Sequence, residues 1–396
     1  MPAPDVRSLP LALYAHLPWC VRKCPYCDFN SFTRDGAIPE DDYIAALLAD
    51  LDADLVHAAG RPLVSMFIGG GTPSLFSGDA IARLLDGIRA RLSFVPDAEI
   101  TLEANPGAVD AQHFAGYRRA GVNRLSIGVQ SFRAEQLRRL GRVHDVADID
   151  CAIDTARAAG FDNFNLDLMH GLPGDAPDDA LRDLERALAC APPHLSWYQL
   201  TLEPGTAFGR RPPPLPPHDR IATEFERGCA LLEAAGFQRY EISAFAQPGR
   251  EARHNVNYWA FGDYFGIGAG AHGKLTTAAG LVRTEKRRQP AAYMKAALGG
   301  KAAGTTHAVA PRELVIEFML NALRLRQGFE RDWLFTRGRI AAGDVEPLMA
   351  DAVRRGWLVD DGRRCMPTEL GFRFLNDLQL LFTPEPADDD AGPTAP

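Results

Sequence analysis

Three cysteines stand close together near the start of the chain: Cys20, Cys24 and Cys27, in the run WCVRKCPYCDFN. The Cys-x3-Cys-x2-Cys spacing brings three sulfurs around one point. Three chemistries compete for them. A structural zinc ion wants four protein ligands, and His16 is the available fourth. A redox pair of Cys24 and Cys27 leaves Cys20 unexplained. A 4Fe-4S cluster can be held by three thiolates, which leaves one iron open to a non-protein ligand. On that last reading the absence of a fourth cysteine is the functional point. The remaining cysteines, Cys151, Cys190, Cys229 and Cys365, are scattered. In a reducing compartment they read as buried free thiols.

Other residues suited to chemistry follow in short clusters: Gly69-Gly70-Gly71-Thr72-Pro73, Glu103-Ala104-Asn105-Pro106, Gln130-Ser131-Phe132 and His170-Gly171-Leu172-Pro173-Gly174. Glycines without Cβ let a backbone approach a small polar ligand, and the same residues also suit a tight strand-to-helix turn. Glu103 and Asp167 end apolar runs, where a carboxylate is costly unless paired. A bound polar ligand or a structural salt bridge would each supply the partner.

The elements that must position these groups repeat one pattern. Apolar runs at 11–17, 63–68, 99–103, 124–129, 163–169, 195–201 and 239–245 alternate with helical stretches. In 40–59, Tyr43, Leu47, Leu51 and Leu55 recur every fourth residue, and in 79–92 Ile81, Leu84, Leu85, Ile88 and Leu92 form one face. Strands alternating with helices predict parallel pairing with right-handed crossovers. The fold class expected is α/β, a partial or complete (β/α) barrel over residues 1–246, with a doubly wound open sheet as the alternative. The clusters above all fall at strand C-terminal ends, the rim where barrels of this kind collect their chemistry. Pro212–Pro217 reads as a stiff extended link. Residues 247–310 read as an irregular segment. Residues 311–382 read as a small, mainly helical, winged-helix-like C-terminal domain with a hairpin at WLVDDGRRCMPT, and 383–396 as a disordered tail.

Composition narrows the class. The chain has 396 residues, 46% hydrophobic and 24% charged, with a formal net charge of −8. Glu385, Asp388, Asp389 and Asp390 of the tail carry part of that charge, yet the remainder is still not basic. This argues against a broad nucleic-acid groove, and so against tRNA modification. No apolar run approaches the roughly 18 residues of a spanning helix. The N-terminus lacks the charged start and long apolar stretch of a signal peptide, so a cytoplasmic compartment is expected.

Beyond the cysteines, IGGGTPSLF, IGVQSF, LGRVHD, NLDLMHGLPG, YQLTLEPGT and HNVNYW accompany LPWCVRKCPYCDFNSF. Together these motifs resemble the radical S-adenosylmethionine (SAM) superfamily and, within it, the oxygen-independent coproporphyrinogen III oxidase family, over about residues 11 to 380. The resemblance is greatest to that family's haem-chaperone branch. It implies a 4Fe-4S cluster on Cys20, Cys24 and Cys27, whose open iron chelates the amino and carboxylate groups of SAM. It also implies SAM contacts at Tyr14, Tyr26, Gly70, Gly71, Thr72, Glu103, Gln130, Arg142 and Asp167, although the oxidases hold two SAM molecules and these positions need not serve one. Phe29 departs from the oxidase pattern, which has a further cysteine there. Only ten residues precede Leu11, whereas the oxidases carry a longer leading segment. Both differences speak against porphyrinogen decarboxylation, the alternative function.

The chaperone branch implies haem as cargo, with acceptor haemoproteins, respiratory ones among them, as partners. It associates HNVNYW with haem. A histidine can ligate haem iron while aromatics line the macrocycle, which makes His254 the expected axial ligand and His272, in GIGAGAHG, the second candidate. A hydrogen-bonded structural role suits His254 equally on residue type alone. A homodimer and peripheral membrane contact stay open.

Overall fold

The computed structural model describes residues 6–108 and 111–384. The expected acidic charges of the tail therefore lie outside the described residues. Twelve strands form one sheet. In chain order they are β1 (Leu11–Leu17), β2 (Leu63–Gly70), β3 (Phe94–Ala104), β4 (Arg124–Gln130), β5 (Phe164–His170), β6 (His194–Gln199), β7 (Gln238–Arg239), β8 (Ala244–Ala246), β9 (Asp263–Ile267), β10 (His272–Thr276), β11 (Leu281–Lys286) and β12 (Gly304–Ala308). The spatial order is β12-β11-β10-β9-β1-β2-β3-β4-β5-β6-β8-β7. All pairings from β9 through β1 to β6 are parallel. Those at the two flanks are antiparallel. The outermost strands do not meet, so the barrel is partial.

Period-two alternation explains which residues face inward. Leu11, Leu13, Ala15 and Leu17 of β1 join the main apolar core, as do Leu125, Ile127 and Val129 of β4 and Leu166 and Leu168 of β5. Their neighbours Tyr14, His16, Ser126, Gln130 and Asp167 turn to the opposite face, into the barrel. The outer face is covered by amphipathic helices. Gly78–Arg89 buries Ile81, Leu84, Leu85 and Ile88, and its N-cap Ser77 accepts from the Ala80 N–H. The Val146–Ala158 helix opens with a reciprocal Asp145/Asp148 capping box.

Two expectations from sequence need correction. The run 239–245 is not a seventh barrel strand: it breaks into β7 and β8, which run antiparallel, β8 against β6. Residues 247–310 are not irregular, because they contain the helix Arg253–Trp259, strands β9 to β12 and the helix Pro290–Leu298. Strand β9 takes the parallel place beside β1, with Leu11 opposite Asp263. C-terminal to the sheet, helices Leu314–Ala322 and Ala342–Arg354 pack with a small three-stranded sheet around a second apolar cluster. Its Leu358–Asp360 and Arg364–Pro367 strands form the expected hairpin.

A buried polar layer plugs the barrel interior. Glu99 accepts the backbone N–H groups of Arg253 (3.0 Å) and His254 (3.1 Å), so one carboxylate caps the helix Arg253–Trp259. Arg124 lies 4.0 Å from the same carboxylate, and both side chains are at most 5% exposed. Asn165 Oδ1 accepts from His194 and Ser196, and the other ring nitrogen of His194 pairs with the Tyr240 hydroxyl at 2.8 Å. Removing one partner of a buried charged pair leaves the other uncompensated, at a cost of about 3–5 kcal/mol. Glu99→Ala is therefore expected to lower unfolding stability by about that amount in a denaturant titration. Arg83→Ala, at an exposed pair with Asp41, should cost less than about 1 kcal/mol.

Candidate functional site

The cysteine loop leaves the C-terminal end of β1. Its ends are held together by the short strands Trp19–Cys20 and Phe32–Thr33. Inside it, the Cys27 N–H donates to the Cys24 carbonyl. The Arg22 guanidinium ties the loop to the turn after the helix Ala134–Arg139, donating to the carbonyls of Gly141 (2.6 Å) and Arg142 (2.9 Å). Cys20 is buried, Cys24 and Cys27 are half-buried, and all three are free thiols. Burial raises the Cys20 and Cys27 thiols.

All three cysteines line a cavity of about 420 Å³, together with Tyr26, Gly70, Gly71, Thr72, Glu103, Gln130, Arg142 and Asp167. That volume suits a cofactor-sized ligand. Of the expected SAM positions only Tyr14 lies outside this cavity. It lines an adjoining one of about 470 Å³, whose wall shares Asp28, Phe29, Gly70 and Glu103 with the first.

His16, the fourth ligand a zinc site would need, is already engaged. Its Nε2–H donates to the Asn30 carbonyl (2.9 Å) and its Nδ1 accepts from the Tyr14 hydroxyl (2.9 Å), so neither nitrogen is free. Among the described residues, no three His, Cys, Asp or Glu side chains are grouped to hold a single metal ion. Three thiols lining one cavity are the donor set that a cluster held by three thiolates would use. Arg142 gives them a cation: its Nη1 lies 3.7 Å from the Cys24 sulfur and its Nη2 donates to the Gly128 carbonyl at 2.7 Å. Burial disfavours the guanidinium charge, but Tyr26 and Cys24 outweigh it and raise its pKa. The buried Arg142 Nε has no partner in the protein. Such an orphan donor beside thiols is what an anionic ligand group would satisfy.

The carboxylates have the complementary need. Glu103 accepts from the Gly70 N–H at 3.0 Å. Burial, reinforced by the nearby Asp167, pushes its pKa up to about 8. Asp167 is raised too, chiefly by burial, although Ser126 and Asn165 donate to it at 2.9 and 2.8 Å. Two carboxyl groups short of cations suit a ligand that brings hydroxyls and a positive centre. Gln130 accepts from the Tyr198 hydroxyl at 2.7 Å and adopts φ 71°. That left-handed backbone is uncommon for a non-glycine residue.

The glycine turn works differently from the expectation. Gly70 and Gly71 reach the cavity with their backbones, while the space a side chain would fill belongs to the protein. A Cβ on Gly70, at φ 122°, would lie 2.8 Å from the His16 ring, and one on Gly71 would lie 2.6 Å from the Trp19 carbonyl oxygen. Glycine here lets the cysteine loop close onto β2. Thr72 N–H donates to that same Trp19 carbonyl at 2.7 Å.

His254 is in neither cavity. HNVNYW is not an open loop but most of the plug helix Arg253–Trp259. The imidazole is 2% exposed. Nδ1 lies 3.1 Å from the Ser65 hydroxyl, and the ring packs on Phe67 and Tyr258. Burial, with Arg124 nearby, lowers its pKa to about 3. The ring lines neither cavity, and its buried Nε2 has no partner among the described residues. Tyr258 of the same motif does line the second cavity, as do Tyr264 and His272. Sequence reasoning missed Tyr198 and Tyr264; strand alternation with Ser196 was the signal for the first. Of the scattered thiols Cys151 is exposed, contrary to expectation.

Glu103 makes a pH-dependent prediction. The folded protein holds its proton more tightly than the unfolded chain, so Glu103 withdraws stability as pH rises from 4.5 to about 8. Glu103→Gln should raise the denaturant midpoint of the ligand-free protein at pH 9 and leave it nearly unchanged below pH 4.5. An equal gain at both pH values would contradict the assignment.

The Radical SAM superfamily pattern matches residues 14–187. The heme chaperone HemW of Escherichia coli strain K12 is 50% identical over 381 residues, covering 96% of this chain and 100% of that protein. HemW of Haemophilus influenzae is 46% identical, covering 95% and 98%. The mouse mitochondrial radical S-adenosyl methionine domain-containing protein 1 is 34% identical, covering 97% and 90%. Among solved structures, the coproporphyrinogen III oxidase HemN of Escherichia coli aligns with a TM-score of 0.79 at 24% identity, over 94% of this chain and 90% of that one, a likeness of fold. With three thiols on a strand-end cavity of a partial barrel, and this identity along nearly its whole length, the chain belongs to the radical SAM superfamily, in the haem-chaperone (HemW) branch of the oxygen-independent coproporphyrinogen III oxidase-like family.

Proposed function

We propose that this chain binds haem and passes it to acceptor haemoproteins, respiratory ones among them, while holding a 4Fe-4S cluster on Cys20, Cys24 and Cys27 and SAM in the adjoining cavity. The carrying observation is Phe29. It stands where the oxidase pattern has a further cysteine, lies on the seam of the two cavities, and is 57% exposed. An exposed phenylalanine at a cavity mouth suits a flat apolar cargo and supplies no thiol for the oxidase chemistry. The names of the relatives at 50% and 46% identity support the same reading.

When bound, the cluster would offer SAM an open iron and an electron. The protein's own part is electrostatic. Arg142 offsets thiolate charge and offers Nε to an anionic group. Glu103 and Asp167 line the same cavity and would accept from the hydroxyls of a bound SAM and offset its sulfonium charge. Trp19, against Tyr43 at 4.7 Å, packs behind the loop. Among the described residues no helix is long and apolar enough to cross a membrane. The compartment we propose is the cytoplasm, which would keep the seven free thiols reduced. A homodimer is compatible with this scheme and is not required by it.

Cys24→Ala should abolish the iron–sulfur absorbance of anaerobically reconstituted protein, whereas Cys190→Ala, on a thiol remote from the cavity, should keep it. Four irons per chain in the Cys24 variant would sink the cluster assignment. The unmodified protein, with cluster, SAM and reductant, should bind haem yet leave coproporphyrinogen III unconverted in an anaerobic assay. Efficient formation of protoporphyrinogen would replace the chaperone reading with the oxidase one.

A further inference from the structure

We infer that haem is seated in the second cavity, with His272 as its axial ligand and Tyr258 as a wall; this rests on the haem-binding reading above. The cavity lies between the cysteine loop and the turn that joins β9 to β10. Its volume of about 470 Å³ falls in the range of cofactor sites. Two imidazoles face it, and only one is available. His16 is fixed at both nitrogens by Asn30 and Tyr14. His272 is exposed at the start of β10. Among the described residues no hydrogen bond holds its ring.

The turn that presents His272 is built with care for position. Gly268 and Gly270 have φ of 106° and 81°, values open to glycine. The Ala271 N–H returns to the Gly268 carbonyl, and the Gly270 N–H reaches the Arg287 carbonyl. Asn30 of the cysteine loop donates from one amide nitrogen to the carbonyls of Ala269 and Arg288, both at 2.8 Å. The His272 turn is thus fastened directly to the loop that carries the three thiols.

The remaining walls match a tetrapyrrole. Phe29 is exposed at the cavity, and Tyr258 and Tyr264 line it with ring centroids 4.0 Å apart. Arg288 also lines the cavity, as a cation for propionates. Asp28, Glu103 and Glu285 also line the cavity, so the propionates must turn toward Arg288 and away from them. HNVNYW then meets haem through Tyr258, while its histidine anchors the helix beneath. Because Phe29 and Gly70 belong to both cavities, the haem edge would lie beside the SAM pocket.

The test is a haem titration of cluster-loaded protein, recorded as a difference spectrum against the same protein without haem. His272→Ala should raise Kd at least tenfold and shift the Soret band, and added imidazole should restore the original band. His272→Met should bind with a distinct spectrum. His254→Ala should leave the Soret position where it is. An unchanged spectrum and Kd in His272→Ala would overturn the seat while leaving haem binding intact. Failure of the unmodified protein to take up haem would overturn the haem-binding reading itself.

Discussion

Glu99 is the constraint on which the rest of this architecture depends. It sits at 5% exposure inside a barrel whose period-two strands point polar side chains inward. A carboxylate so placed must be paired. It finds Arg124 on the adjoining strand β4 and two backbone N–H groups at the start of the plug helix Arg253–Trp259. The pairing closes the interior from below. It also sets the rotation of that helix, so that His254 turns inward against Ser65 while Tyr258, one helical turn on, reaches the second cavity. A buried charge and a helix N-terminus satisfy one another, and the upper half of the barrel is left free for ligands.

Above that floor the same alternation produces two adjoining cavities with different chemical needs. The first holds thiols, an Arg142 nitrogen without a partner and two carboxyl groups pushed upward by burial. It lacks ligands of both signs, as a site for a zwitterionic, cationic molecule should. The second is aromatic, with one free imidazole. Only Asp28, Phe29, Gly70 and Glu103 belong to both. At Gly70 only glycine fits this seam, because a Cβ there would meet the His16 ring.

What was legible in the sequence was local in origin. The thiol spacing, the glycine turn and the carboxylates at strand ends are signalled within a few residues, and eleven of the thirteen proposed cofactor and metal positions, all but Tyr14 and His254, line the first cavity. Two kinds of information were not local. Strand β9 is only five residues long and interrupted by Gly266; its place is decided by β1, more than two hundred residues earlier. The direction of a side chain was equally hidden. His254 looked available because its aromatic neighbours suggested a loop, yet the Glu99 cap makes the segment helical and turns the ring inward. The glycines looked like a ligand cradle, but what they accommodate is His16 and Trp19, residues that precede them by some fifty positions.

The most direct measurement is an anomalous-difference map at the iron edge from crystals of the haem-loaded, cluster-containing protein. One iron peak should lie beside His272, bounded by Phe29 and Tyr258 and separate from the density at Cys20, Cys24 and Cys27. A haem iron bound at His254, or on the C-terminal helices far from the cysteine loop, would contradict the account.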